Sequence, residues 1–194
     1  MRYLKSYPSV GPTFSSDPKS YPNGVQLEID CDNSHATQSE SRDQSGILYR
    51  VGTTNACFAS FASTEPGVSL SPQEGEYSTL CRAAKNAVFW RQLLEGFGFP
   101  QNQPTPIFED NLPAINLVQA PEITKNSRHL LLKHHYVRWL HASGVINPIH
   151  RDTNIMLADF LTKVFPPRKF HYFKDKIFNS MSSFVSFIGS SFRR

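Results

Sequence analysis

Four acidic side chains stand where carboxylates can do chemistry. Asp110 closes the run Pro106-Ile-Phe-Glu-Asp110-Asn111, in which two apolar residues lead into two acids and an amide, and a helical apolar spacing follows at Ala114, Ile115 and Val118. Ile107 and Phe108 favour a short buried strand, and Asp110 or Asn111 suits the N-cap of the next helix. Asp30 follows a second strand pattern, Val25-Gln-Leu-Glu-Ile29, at the acidic tip Asp30-Cys31-Asp32. Glu76 heads an otherwise apolar helical stripe, so it faces a sheet and not water. Asp159 lies within an apolar stripe of its own, where a carboxylate needs a partner. Each acid also has a plainer role open to it: a strand-end turn or a helix cap for Asp30 and Asp110, and compensation of the helix dipole for Glu76. Asp32 takes the place of Asp30 if the strand register shifts. Brought together, such acids would raise one another's pKa values unless a cation neutralised them. Oxygen-rich sets of this kind hold Mg²⁺ or Mn²⁺. Two such ions about 4 Å apart stabilise the attacking and leaving oxygens of phosphodiester hydrolysis.

The elements that must position these acids read in the order strand, strand, strand, helix, strand, helix, helix, strand, helix. After the first strand, Gly46-Ile-Leu-Tyr-Arg-Val51 and Ala56-Cys-Phe-Ala-Ser-Phe61 form a hairpin. Ser71, Pro72 and Glu74 mark a helix start. Glu76, Leu80, Ala83, Ala87, Trp90 and Leu94 then recur at helical spacing, and Gly96, Gly98 and Pro100 end the helix. Residues 126–142 form a helix rich in basic and imidazole groups, and Val145, Ile146 and Ile149 give the last strand. Residues 154–163 read as a core helix, and residues 168–178 as a basic-aromatic helix after Pro166-Pro167. An antiparallel hairpin followed by parallel additions is a mixed α/β sheet. The crossover helix lets the first and fourth strands lie side by side. That makes Asp30 and Asp110 neighbours at one sheet end, with Glu76 reaching over them and Asp159 closing the set.

The ordered motifs resemble the RNase H domain at the C-terminal end of copia-type retrotransposon polyproteins, from Arg2 to about Phe178. Asp30-Cys-Asp32 is similar to that family's Ser-Asp-Ala-Asp strand, Ser45-Gly46 to its Ser-Gly-Tyr hairpin, and Glu74-Gly-Glu76-Tyr77 to Glu-Ala-Glu-Tyr. Glu109-Asp110-Asn111 with Ala114-Ile115 resembles Cys-Asp-Asn-Gln-Ser-Ala-Ile, and Ala158-Asp159-Phe-Leu-Thr162-Lys163 resembles Ala-Asp-Ile-Leu-Thr-Lys. The resemblance implies an RNase H-like fold with a mixed five-stranded sheet flanked by helices. It implies Asp30, Glu76, Asp110 and Asp159 as catalytic ligands of two Mg²⁺ or Mn²⁺ ions, and hydrolysis of the RNA strand of an RNA–DNA hybrid. Asp30 and Asp110 would hold or bridge the ions, Glu76 would hold one and orient the scissile ribose, and Asp159 would complete the second site. It also implies origin in a polyprotein with reverse transcriptase and integrase, with residues 1–23 a connector from a lost polymerase region. Residues 24–165 would then be the RNase H-like domain, 166–180 a C-terminal helix and 181–194 a Ser/Phe-rich tail.

The pattern is damaged on the substrate side. Asn33-Ser34-His35-Ala36 replaces Trp-Ala-Gly, and Phe61-Ala-Ser-Thr-Glu65 stands where the family has a Trp and paired lysines. Fewer lysines mean fewer phosphate contacts, which supply most sequence-independent affinity. A catalytically inactive remnant that at most binds nucleic acid is therefore the alternative. Lys125, Arg128, Lys133 and Arg138, on the basic helix, are the candidate phosphate contacts; a solvated basic face fits them as well. Zinc is a poor fit, because His134 and His135 point apart on a helix and no cysteine completes a ligand set.

Composition sets the outer bounds. The chain has 194 residues, 39% hydrophobic and 12% aromatic, so it buries a core and is not a disordered segment. A net charge of +4 mildly favours an anionic partner. Cys31, Cys57 and Cys81 fit unpaired thiols in a reducing, intracellular compartment, cytoplasmic or nuclear. Met1 to Lys5 lead into no apolar signal core, so a secreted protein is not expected.

Overall fold

The computed structural model describes residues 11–15, 19, 21, 24–35, 42–52, 56–65, 69, 71–119 and 131–179. Among them, β1 (Leu27–Ser34), β2 (Gln44–Val51), β3 (Cys57–Thr64), β4 (Thr105–Glu109) and β5 (Ile146–His150) form one sheet in the order β3-β2-β1-β4-β5. β1 pairs antiparallel with β2, and β2 with β3, whereas β1–β4 and β4–β5 are parallel. This is the mixed five-stranded sheet expected, with the first and fourth strands adjacent.

β1 is longer than its alternation indicates. Polar residues have low strand propensity, yet the strand continues through Asp30-Cys31-Asp32-Asn33-Ser34 because each of them has a partner on β2, up to Ser34 opposite Gln44. Asp30 consequently sits in mid-strand, between Leu48 and Phe108. Asp32 is the acid nearer the C-terminal end of the strand.

Helix α1 (Pro72–Gly96) crosses one face of the sheet. The Ser71 hydroxyl accepts from the Glu74 N–H at 3.3 Å, the expected cap. Glu76, Leu80, Ala83 and Ala87 are buried, and Trp90 and Leu94 pack against the core. Alanines at positions 83, 84 and 87 let this helix lie close to Ile29, Ile47 and Ile107. Helices α2 (Leu112–Gln119) and α3 (Leu131–Ala142) complete that layer, with Val118, Val137 and Leu140 in the same cluster.

The other face of the sheet carries a thinner layer, in which Leu48 packs with Leu157, Phe173 and Ile177. The single core helix expected over residues 154–163 is broken. A 3-10 turn (Thr153–Ile155) and the short helix α4 (Asp159–Thr162) flank an extended backbone at Met156. Met156, Leu157 and Ala158 are all buried in succession, which one extended residue followed by a tight turn achieves and an amphipathic helix with one wet face does not. Helix α5 (Pro167–Phe178) supplies Phe173 and Ile177. No helix of the described residues is long and apolar enough to cross a membrane.

Gly46, opposite Asp32 in the β1–β2 ladder, sets how near α4 comes to the sheet. A Cβ there would meet Leu161 Cβ at 2.8 Å, Thr162 Cγ2 at 2.9 Å and the Ala158 carbonyl at 3.1 Å. Gly46→Ala should therefore destabilise by about 1–3 kcal/mol, the usual range for overpacking a close contact. A urea midpoint that does not move would contradict this packing.

Candidate metal centre

The strand ends, the first turn of α1 and the start of α4 bring five carboxylates together. Among the described residues, Asp32, Asp110 and Asp159 each offer an oxygen, all within 4.8 Å of one another, and Glu76, Glu109 and Asp110 do the same. Asp110, just past β4, belongs to both groups. Asp159 reaches the set because α4 rests on Gly46. Glu76 reaches it because Gly75 presses on the end of β1: a Cβ at Gly75 would lie 2.5 Å from both Asn33 Oδ1 and Asp43 Oδ2.

The structure corrects the placement of Asp30. Strand side chains alternate, so Asp30 and Asp32 point to the same face, but about 7 Å apart along the strand. Asp30 is fully buried and already neutralised: Arg50 Nη2 donates to its Oδ2 at 3.0 Å, and Arg151 Nη1 donates to its Oδ1. Arg50 also pairs with Glu28 at 3.3 Å, and the Arg151 guanidinium lies 3.4 Å from the centroid of the Phe108 ring. The extra length of β1 is what carries Asp32, and not Asp30, to the acidic end.

Asn111, not Asp110, caps α2, since its Oδ1 accepts from the Ala114 N–H at 2.9 Å. Asp110 is left to the cluster, with Thr153 Oγ1 donating to its Oδ2 at 2.8 Å. Glu109 was not anticipated from the sequence. Its readable signal was the period of two: Ile107 and Glu109 share the face that packs on α1, so the acid is buried. Cys31 donates its S–H to Glu109 Oε2 at 3.2 Å, and the Asn111 N–H donates to Oε1 at 3.2 Å.

Burial and like charge show in the titration of these groups. Burial, then the charges of Glu109, Asp32 and Asp110, push Glu76 up to about 11. Burial pushes Glu109 up to about 8, against the hydrogen bonds from Cys31 and Asn111. Asp159 is pushed up to about 6 by burial, against the hydrogen bond from Lys163, and burial also raises Asp32. Lys163 Nζ donates to Asp159 Oδ1 at 2.7 Å and lies 3.3 Å from Asp32 Oδ1, and the Thr162 hydroxyl donates to Asp32. Burial works against the charge on Lys163, but Asp32 and Asp159 outweigh it and hold the ammonium above its ordinary value.

The residues fit a divalent cation. Glu76 Oε2 and Asp159 Oδ2 are buried with no hydrogen-bond partner among the described residues. A buried oxygen without a donor is costly unless something positive meets it. Carboxylate oxygens, with water, are donors that suit Mg²⁺ and Mn²⁺.

The basic helix is partly in view. Lys133 is exposed, with its Nζ donating to Ser78 Oγ on the second turn of α1 at 3.0 Å. Arg138 is half-buried further along α3. Lys125 and Arg128 lie outside the described residues. His134 is buried and stacked on Tyr77 with ring centroids 4.3 Å apart, whereas His135 is exposed, so these rings do point apart.

No family model matches the chain. It is 30% identical over 113 residues to a retrovirus-related Pol polyprotein from transposon RE2 of Arabidopsis thaliana, covering 58% of this chain and 8% of that protein. It is 26% identical over 110 residues to the corresponding polyprotein from transposon TNT 1-94 of Nicotiana tabacum, covering 57% and 8%. The chain thus spans under a tenth of the length of these relatives. Among solved structures, LC11-RNase H1, determined in complex with an RNA/DNA hybrid, superposes with a TM-score of 0.54 at 14% identity, covering 71% of this chain and 94% of that one. The N-terminal RNase H domain of a Mycobacterium tuberculosis protein superposes with a TM-score of 0.53 at 13% identity, covering 77% and 96%. Sheet order, helix placement and these likenesses agree: the chain is homologous to the retrovirus-related Pol polyproteins of plant transposons and has the fold of an RNase H domain.

Proposed function

We propose that the protein is an RNase H-type nuclease that hydrolyses the RNA strand of an RNA–DNA hybrid, with two Mg²⁺ or Mn²⁺ ions held by Asp32, Glu76, Asp110 and Asp159. The observation that carries this reading is the convergence of those carboxylates, two with buried unpartnered oxygens, at one end of an RNase H sheet. Bound there, the cations would polarise the scissile phosphate and ease ionisation of the attacking water. Asp110, shared by both groups, holds the two halves of the centre together. Thr153 keeps the Asp110 carboxylate oriented, and Lys163 offsets the charge of Asp32 and Asp159 until substrate and cations arrive. Lys133 and Arg138, with Lys125 and Arg128, would meet phosphates and set register on the duplex without reading sequence. The work belongs inside the cell, where Cys31, Cys57 and Cys81 stay free thiols as they are here, and descends from a polyprotein that also carried reverse transcriptase and integrase.

A second reading, a nucleic-acid-binding remnant without cleavage, draws support from Glu65. It stands where the resembled pattern has lysines, and it holds Arg82 at 3.0 Å and Ser45 at 2.6 Å in place of a phosphate. A labelled hybrid separates the two. Release of RNA fragments in Mg²⁺ or Mn²⁺, abolished by EDTA and absent with duplex DNA, is the expected result. Salt-dependent hybrid binding with no cutting in either cation would replace the nuclease with the remnant.

A further inference from the structure

Glu109 is a departure from the resembled motif, in which a cysteine precedes Asp-Asn, and Cys31 is another, where that motif has alanine. The two replacements touch each other. Cys31 Sγ donates to Glu109 Oε2 at 3.2 Å, and the Asn111 N–H donates to Oε1 at 3.2 Å. A carboxylate oxygen has two lone pairs, so each oxygen of Glu109 retains one after these bonds. The side chain is 0% exposed and held from both ends. It offers an oxygen within 4.8 Å of Glu76 and Asp110. Glu76, itself only 7% exposed, brings an Oε2 with no hydrogen-bond partner among the described residues to the same place. Three carboxylates, two of them shut away from water, therefore line the α1 side of the centre. On the α4 side, in contrast, Lys163 already meets Asp32 and Asp159.

We infer that Glu109 is a fifth ligand residue, which makes the α1 side of the centre a water-poor, three-carboxylate site that takes Mn²⁺ in preference to Mg²⁺. The inference rests on the proposed metal centre. Mg²⁺ gives up its water reluctantly and usually binds through one or two carboxylates, keeping several waters. A site with three carboxylates and little room for water disfavours it, whereas Mn²⁺ accepts the same oxygen donors at higher affinity in general. Cys31 acts as a positioning residue: its S–H holds the Glu109 rotamer and does not itself meet the cation.

The test is a titration of the metal-free full chain with Mn²⁺, following the electron-paramagnetic signal of the free ion, with Mg²⁺ as competitor. Glu109→Gln is expected to weaken the tighter Mn²⁺ by at least roughly ten- to a hundredfold, the scale on which a centre responds even to loss of a group that only supports its ligands. The excess of Mg²⁺ needed for displacement should fall as well. Glu109→Met keeps the volume without the charge, and serves if the glutamine variant does not fold. Mn²⁺ affinities unchanged within twofold in a folded variant would overturn the inference. Asp110→Asn run alongside separates the two failures. If it abolishes Mn²⁺ binding while Glu109→Gln leaves it intact, only the fifth ligand is wrong. If Asp110→Asn also binds Mn²⁺ normally, the centre itself falls, and the inference with it.

Discussion

Asp32→Asn is expected to lower hybrid cleavage by roughly a thousandfold with the fold intact, while Asp30→Asn is expected to lower stability with the centre intact. Loss of one carboxylate from a cation centre removes several kcal/mol of charge stabilisation, at about 1.4 kcal/mol per tenfold in rate. Asp32 contributes an oxygen to the group with Asp110 and Asp159. Asp30 contributes none to either group, and instead answers Arg50 and Arg151. Taking that buried carboxylate away from two guanidiniums costs about 3 kcal/mol, equivalent to a fall in melting temperature of roughly 10 °C for a chain of this size. Cleavage rates and melting curves of the two variants, measured side by side, check this. If Asp30→Asn is stable and inactive while Asp32→Asn cleaves normally, the ligand set reverts to the one that the motif resemblance implied.

The second large effect is a pH dependence of stability that divalent cations reverse. Glu76, Glu109 and Asp159 all have folded-state values above their ordinary ones, near 11, 8 and 6. An acid raised in the folded state binds its proton more tightly folded than unfolded, so it favours the folded protein below the unfolded value. That advantage is lost as pH rises through the folded one. These three groups therefore make the metal-free protein progressively less stable as pH rises from about 4, through the folded values of about 6 and 8, to that of Glu76 at about 11. A cation binds the deprotonated carboxylates, so its effect has the opposite sign: small at pH 5, large at pH 8. Mn²⁺ at a hundred times its dissociation constant stabilises by about 2.7 kcal/mol, or roughly 5–10 °C at pH 8. Melting curves at pH 5 and pH 8, with Mn²⁺ and with EDTA, measure this directly. Equal cation effects at the two pH values would mean that these acids do not form the binding set.

Much of this arrangement could be read without coordinates. The strand order, the hairpin, α1 with its Ser71 cap and the apolar stripe from Leu80 to Leu94 follow from local patterns, because turn chemistry, capping and helical period are properties of neighbouring residues. The adjacency of β1 and β4 followed from the crossover rule. Asp110 lies within reach of Glu76 in one group and of Asp159 in the other, and each of the three is anchored to an element whose place the topology dictates. What remained hidden depended on residues far apart in the chain. The length of β1 is decided by its pairing with β2, which pulls Asp30-Cys31-Asp32 into a strand that their own propensities would end. That puts Asp32, two residues on from Asp30, among the grouped acids. The guanidiniums that neutralise Asp30 come from β2 and from just beyond β5, 20 and 121 residues away in sequence. The break at Met156 depends on three consecutive side chains finding buried space at once. The burial of Glu109 follows from the period of two in β4, but the hydrogen bond that holds it comes from Cys31 on the adjacent strand, 78 residues away. Acid identity and element type are local and were determined by the sequence alone; which acids meet is a matter of strand register and of the charges already beside them, and only the tertiary structure decided it.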